Sequence, residues 1–429
     1  MLSLILFGTM LLLFGLNVPI AISLGIAAVI ALLTMPGVNA EVLVQRMFYG
    51  LDSFLILSVP LFLLLGELMQ SAKITDRLVE FAQAVVGRLK GGLGQVSVVT
   101  DMLMAGISGS GTADAAATGA IFMPAMKKAG YRPSFAAALV GSASTIGPII
   151  PPSIIMIIYA SIAGVSIGRI FVAGFIPGIL MGICLMFMTS VIAGREGIPR
   201  GEKTNITKII KATRRASLVL VLPLIIVGGI IGGLFTATES AAVGCLYALV
   251  LGLLVYRSIS VKELPGIFCR TALTTGRVMF ILATASVFSW ILARGGVPNQ
   301  IASLPFFADA SQPWLLFLAL NILLFVLGMV MEAIAILLIT VPMILPMAIA
   351  AGIDPIHLGV VMSFNLTIGL ITPPFGSIMF VLCGIGNISV QEFARDIWPF
   401  VVILLAFLLL ITYVPSIVLF LPNLLLGPS

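Results

Sequence analysis

Residues 144–153 read STIGPIIPPS and residues 366–375 read LTIGLITPPF, each in the middle of a long apolar run. Glycine and paired prolines at the midpoint of a membrane helix spoil its backbone hydrogen bonding. A chain that does this twice, in nearly the same letters, needs a structural reason for it.

The surrounding composition sets the solvent. Of the 429 residues, 60% are hydrophobic and 9% charged, and the mean hydropathy is +1.24. A soluble domain carries about 25% charged residues, so the chain reads as an all-α polytopic membrane protein. At roughly 20 residues per crossing, its apolar stretches predict about a dozen helical segments, some short or broken. The formal charge of +6, from 22 Lys and Arg against 16 acids, gathers in short loops. This fits the positive-inside rule rather than nucleic-acid binding. Cys184, Cys245, Cys269 and Cys383 lack metal-ligand spacing and read as small core residues. The apolar first 34 residues have no basic leader and outrun a signal peptide. They predict a retained helix interrupted near Asn17 and Pro19.

Sliding the sequence against itself by 222 residues aligns the two quoted stretches without a gap. Over residues 106–152 it gives 13 identities in 47 positions, among them Gly106/Gly328, Pro124/Pro346, Thr145/Thr367, Gly147/Gly369 and both proline pairs. Chance in so biased a composition gives about four. Two homologous halves are therefore expected: 1–194, with a hairpin at about 95–126 and a broken helix at about 134–162, and 216–429, with a hairpin at about 315–347 and a broken helix at about 357–385. A basic cytoplasmic linker helix, REGIPRGEKTNITKIIKATRR at 195–215, joins them and suits an anionic lipid surface.

Charge sets the orientation. The first unit is flanked by Arg88, Lys90, Lys127, Lys128 and Arg132, the second only by Asp309, Asp354 and His357. Both ends of each unit thus share a side, and the two sides are opposite. That is the pattern of an inverted-topology repeat with two re-entrant helical hairpins. Two ordinary crossings per unit would need more than the roughly 30 residues between flanks.

The first hairpin tip, GISGSGTAD at 106–114, is built of small and hydroxyl residues. Its glycines allow a turn, and Ser108, Ser110 and Thr112 offer oxygens to a cation or donors to an anion. The second tip, GMVMEAIA at 328–335, places Glu332 opposite Ser110. Proline should free the carbonyls of 145–148 and 367–370 from the helix. A bound Na⁺ would satisfy them together with the tip hydroxyls, and half-helix N-termini would favour an anionic substrate. Simple packing kinks would account for one such break, less readily for two in inverted halves.

The tip SGSGTADAAATGAIFMPAM, the phrase GPIIPPS, the segment GGLFTATESAAVG at 232–244 and TIGLITPPFG near the end together resemble the large membrane subunit (the M subunit, a DctM-like permease) of TRAP transporters, the tripartite ATP-independent periplasmic carriers. The resemblance covers essentially the whole chain. It implies the elevator-type fold of the ion-transporter superfamily and Na⁺-coupled import of an organic acid such as a C4-dicarboxylate, sialic acid or a sulfonate. It also implies a soluble periplasmic solute-binding protein and a small, separate Q-type membrane subunit as partners, in a bacterial or archaeal plasma membrane. Carried over by position, Ser108, Ser110, Thr145 and Gly147 belong to one Na⁺ site, and Gly328, Glu332, Thr367 and Gly369 to its symmetric mate. Substrate would lie against Ser108, Gly109, Ser110, Gly111, Thr112, Pro151, Pro152, Pro373 and Pro374.

Glu67, Asp101, Asp114, Glu239 and Glu332 lie in or beside apolar segments, where an ionisable residue is a functional candidate. Asp101 and Asp114, bracketing the first tip, are the candidate ion-coupling carboxylates. Glu239 after Thr236 also suits a helix's first turn, and Arg294 a helix end at the interface. No P-loop occurs; the nearest text is RGEKT at 200–204. ATP and organic cofactors are therefore not expected. A serine protease using GISG at 106–109 with His357 leaves the inverted repeat unexplained, and a passive scaffold needs no polar breaks at depth. The nearest alternative is a Na⁺- or H⁺-coupled carrier of the same superfamily that works without a binding protein.

Overall fold

The computed structural model describes residues 2–16, 18–35, 38–198, 201, 205–297 and 313–427. Asn17 and Asp309, used above, lie outside these residues. The described chain holds nineteen α-helices, more than the dozen segments expected. Six of the helices are long and apolar enough to cross a membrane.

The first half opens with α1 (Leu2–Gly15) and α2 (Ile20–Leu33), separated near Pro19 as expected, then α3 (Glu41–Leu51), α4 (Ser58–Ser71) and α5 (Thr75–Val86). The first hairpin is α6 (Gly92–Ser108) and α7 (Gly111–Lys128), and the first broken helix is α8 (Pro133–Ser144) and α9 (Ile154–Ala163). After α10 (Ile167–Arg195) the second half runs through α11 (Ile206–Ile231), α12 (Ala237–Val250) and α13 (Leu264–Arg294). Its hairpin is α14 (Pro313–Gly328) and α15 (Ala333–Ala350), and its broken helix is α16 (Pro355–Gly369) and α17 (Ser377–Gly386). The chain ends in α18 (Val390–Tyr413) and α19 (Pro415–Leu426).

One expectation changes. Among the described residues, the basic stretch from Ile206 is the first part of the 26-residue α11 rather than a separate linker helix. The offset of 222 also lays α3 and α4 on the single helix α13: the first half is interrupted at 52–57 where the second runs on unbroken. Glu239 does close a capping box with Thr236 at the start of α12. Arg294 ends α13 with its guanidinium over the Trp290 ring, 5.5 Å from the centroid.

The two repeats interlock symmetrically. Arm α7 of the first hairpin packs on α17, beyond the second break, while arm α15 of the second hairpin packs on α9, beyond the first. The helices before the breaks form the centre. Phe135 to Ser144 of α8 and Ile356 to Gly369 of α16 are buried without interruption, as expected of helices apolar on every side. Glycine decides how closely α16 crosses α9: a Cβ on Gly359 would run into the ring of Tyr159. Tyr159 is fully buried and donates its hydroxyl to the Pro355 carbonyl at 2.6 Å. Between α7 and α8, Arg132 pairs with both Glu196 and Asp396, the latter at 3.0 Å.

Replacing Gly359 with Leu should force the two repeats apart. We expect a loss of about 1–3 kcal/mol, the usual range for overpacking a close-packed interior, seen as a lower thermal midpoint in detergent.

Candidate functional site

The first tip is a two-residue turn. Gly109 takes a left-handed φ of +62°, and α7 begins at Gly111 behind an extended Ser110. Ser108 Oγ donates to Asp114 Oδ1 at 2.6 Å and accepts the Ser110 N–H at 3.3 Å, while the Ser110 and Thr112 hydroxyls lie 3.3 Å apart. Asp114 is fully buried, and its Oδ2 has no partner among the described residues.

This tip sits directly on the first break. A Cβ on Gly147 would collide with Asp114 Oδ2 and approach the Gly111 nitrogen to 3.3 Å. One on Gly111 would lie 2.9 Å from the Ser144 carbonyl, and one on Gly109 would strike the Pro152 carbonyl. The unbonded carboxylate oxygen of Asp114, the Ser108 and Ser110 hydroxyls and the open backbone around Gly147 are thus one cluster. At the second break the contact is backbone on backbone: a Cβ on Gly369 would lie 2.6 Å from the Gly328 carbonyl oxygen. Both proline pairs, Pro151–Pro152 and Pro373–Pro374, contain a cis peptide bond.

The carbonyls freed by the prolines are fewer than expected. Ile146 O accepts from the N–H groups of Ile149 and Ile150, and Pro148 O from the Ser153 hydroxyl. None of the described hydrogen bonds ends on Thr145 O or Gly147 O. In the second break Ile368 O, Gly369 O and Leu370 O all find donors, leaving only Thr367 O. Short turns inside each break reclaim most acceptors. The Thr145 and Thr367 hydroxyls each donate back to the carbonyl three residues earlier, Ser142 O at 2.6 Å and Phe364 O at 2.7 Å.

Tips and breaks enclose one cavity of about 190 Å³. Gly109, Ser110, Gly111 and Thr112 line it from the first tip, Glu332 and Ala333 from the second, Pro148 and Ile154 from the first break, and Leu370 and Ser377 from the second. Gly111, Ile154, Ala333 and Ser377 are the first residues of α7, α9, α15 and α17, so four helix N-termini converge there. Only α9 has a side-chain cap, Ser153; α7, α15 and α17 have none. A second cavity of about 380 Å³ adjoins it, sharing Leu63, Ser110, Thr112 and Thr274 and reaching Ser108 and Asp114.

The four paired prolines line neither cavity. They shape the turns behind the wall, and Pro148, Ile154, Leu370 and Ser377 take the positions expected of them. Asp101 lies about two helical turns below the tip on α6, buried, with neither oxygen bonded among the described residues. Glu67 lines the second cavity and pairs with Arg270 at 3.0 Å. His357 is buried against the Ile411 carbonyl, with 2.8 Å between Nε2 and the oxygen, which leaves it a packing role.

Sequence reasoning missed Thr274 and Ser377 on the cavity wall and a buried amide pair in the second repeat. Asn365 donates to Asn321 Oδ1 at 2.9 Å, and Asn321 donates to Thr412 at 3.0 Å. A lone Asn at 321 and another at 365, each inside an apolar run, were the available signal.

Adding a methyl at Gly147 should displace Asp114 and unseat the tip. Gly147→Ala should lower stability by about 1–3 kcal/mol. Gly384→Ala, where a Cβ meets nothing within 4 Å, should be neutral or slightly stabilising. Thermal unfolding of the two variants side by side tests the contact.

The family model described as the DctM component of the tripartite ATP-independent periplasmic transporter matches residues 7–417. The chain is 39% identical over 421 residues to the sialic acid TRAP transporter large permease protein SiaM of Vibrio cholerae, covering 98% of each. It is 38% identical over 401 residues to the C4-dicarboxylate large permease protein DctM of Pseudomonas aeruginosa, covering 94% of each. In fold it is similar to the YdaH transporter of Alcanivorax borkumensis, with a TM-score of 0.55 at 14% identity over 96% of this chain and 97% of that one. Its relatives are transporter permeases and not enzymes, and its long apolar helices place it in the bacterial inner membrane as a multi-pass protein. The chain belongs to the DctM family, the large permease component of TRAP transporters.

Proposed function

We propose that this permease imports a small organic acid, a carboxylate or sulfonate, held in the cavity between the two hairpin tips and driven by co-transported Na⁺. The convergence of four helix N-termini on that cavity carries the reading. Each helix start holds a partial positive charge of about half an electron and first-turn N–H groups in search of acceptors. Three of the four have no side-chain cap; apart from the Ile378 N–H, which donates to Leu370 O, their first-turn donors are left to a ligand. An anion suits such a place without help from an arginine or lysine.

The cavity also holds Glu332, and Asp114 lies behind the first tip. An anionic solute can sit beside two carboxylates when cations stand between them. Asp114 Oδ2 with the Ser108 and Ser110 hydroxyls and the open backbone at Thr145 and Gly147 offers one hard-oxygen set. Glu332 with the backbone at Gly328, Thr367 and Gly369 offers a second, poorer in hydroxyls. Relatives named for sialic acid, C4-dicarboxylates and, in Escherichia coli, 2,3-diketo-L-gulonate support the substrate class. In this reading solute arrives from a periplasmic binding protein, a small membrane subunit completes the permease, and the hairpins with their broken helices carry the site across as an elevator.

A thermal melt of the purified protein in NaCl against choline chloride at equal ionic strength tests the coupling ion. Na⁺ at about 100 times its Kd should add roughly 2.7 kcal/mol of stability, and Ser110→Ala and Asp114→Asn should each reduce the gain. Identical curves in the two salts, with the protein folded, would remove Na⁺ from the mechanism.

A further inference from the structure

Away from the transport site, a cavity of about 610 Å³ opens between α5, the first turn of α6 and the basic start of α11. Lys208, Lys211 and Arg215 line it from α11, Glu80 from α5, and Gly92 and Leu93 from α6. Arg215 pairs with Glu80 at 3.1 Å, while Lys208 and Lys211 have no ion pair among the described residues. The density of basic residues in 195–215 marks this as the cytoplasmic side.

The direction in which α11 turns these cations sets them apart from an ordinary basic surface. At about 100° per residue, Ile206, Ile210, Val221 and Leu224 form one stripe, and all four are exposed apolar residues. Lys208, Lys211 and Arg215 form the stripe opposite. The helix thus carries this apolar stripe on one side and its cations on the side that lines the cavity with α5 and α6. The α6 N-terminus lies beside them behind a left-handed Gly91, with the Gly92 and Gly94 N–H groups bonded to the Leu89 and Gly91 carbonyls.

We propose that this cavity binds a phosphate-bearing anion, either the headgroup of an anionic phospholipid or a soluble phosphate. Bound there, it ties the start of α11 to the base of the first hairpin. Phosphate fits on three counts. Its several oxygens can meet two ammonium groups together; the cations spread along about 10 Å of helix; and the volume admits a whole headgroup. The inference is independent of which solute or coupling ion the tips hold.

The test uses delipidated permease with its small subunit, at constant Na⁺ and ionic strength. One arm measures the thermal midpoint in phosphate against acetate, and the other measures retention of phosphatidylglycerol against phosphatidylethanolamine by native mass spectrometry. Phosphate-specific stabilisation, a discrete phosphatidylglycerol adduct, or both is expected. The double variant Lys208→Gln with Lys211→Gln should weaken it about tenfold or more, while Arg214→Gln, outside the cavity, should leave it intact. An effect confined to the lipid assigns a headgroup, and one confined to free phosphate assigns a soluble ligand. No response in either arm overturns the proposal, as does an equal loss in Arg214→Gln, which would indicate diffuse surface charge.

Discussion

A helix that stops inside a membrane leaves its terminal N–H and C=O groups without partners, and lipid supplies none. The rest of this structure answers that constraint. Each break is covered by a hairpin tip: Gly109 and Gly111 press against Pro152 and Ser144, and Gly328 against Gly369. Acceptors within the breaks are mostly reclaimed by short turns. The donors are reclaimed less completely: the Ile378 N–H finds Leu370 O, but three of the four helices that restart at the cavity lack a side-chain cap. The balance leaves the cavity with unpartnered N–H groups, the feature on which the proposed anion binding rests.

Interlocking follows from the same requirement. A polar break can be buried only if something packs on all its sides, and one repeat is too small to surround its own. Each therefore lends a hairpin arm to the helix beyond the other's break, α7 to α17 and α15 to α9. The cavity forms where these exchanges meet and belongs to neither half alone.

The two breaks are alike in backbone and unlike in chemistry. The first gathers Ser108, Ser110 and Asp114 against Gly147; the second brings two glycines together and buries Asn321 and Asn365 a short way behind. Oxygen from side chains dominates one, oxygen from backbone the other. Any pair of cation sites built on them is unequal in ligand type, and the hydroxyl-poor tip GMVMEAIA already showed this.

The breaks, the tips, the repeat offset and its inversion were legible in the amino-acid order because each is local: a Pro pair, a run of small residues, a charged flank. Asp114 and Glu332 were also visible, as charges in apolar runs. The depth of Asp101, the partners of the freed carbonyls and the displacement of the prolines by Ile154 and Ser377 on the cavity wall were not. They depend on which segments meet across some 200 residues. Sequence by itself determined that the chain spans a membrane as two inverted halves, each with a helix that must break, since proline and glycine act through their own backbone. Only the tertiary structure decided which four helix ends face one another, because that is set by the fit of Tyr159 against Gly359 and of tip glycines against carbonyls. Such contacts leave no periodic trace along the chain.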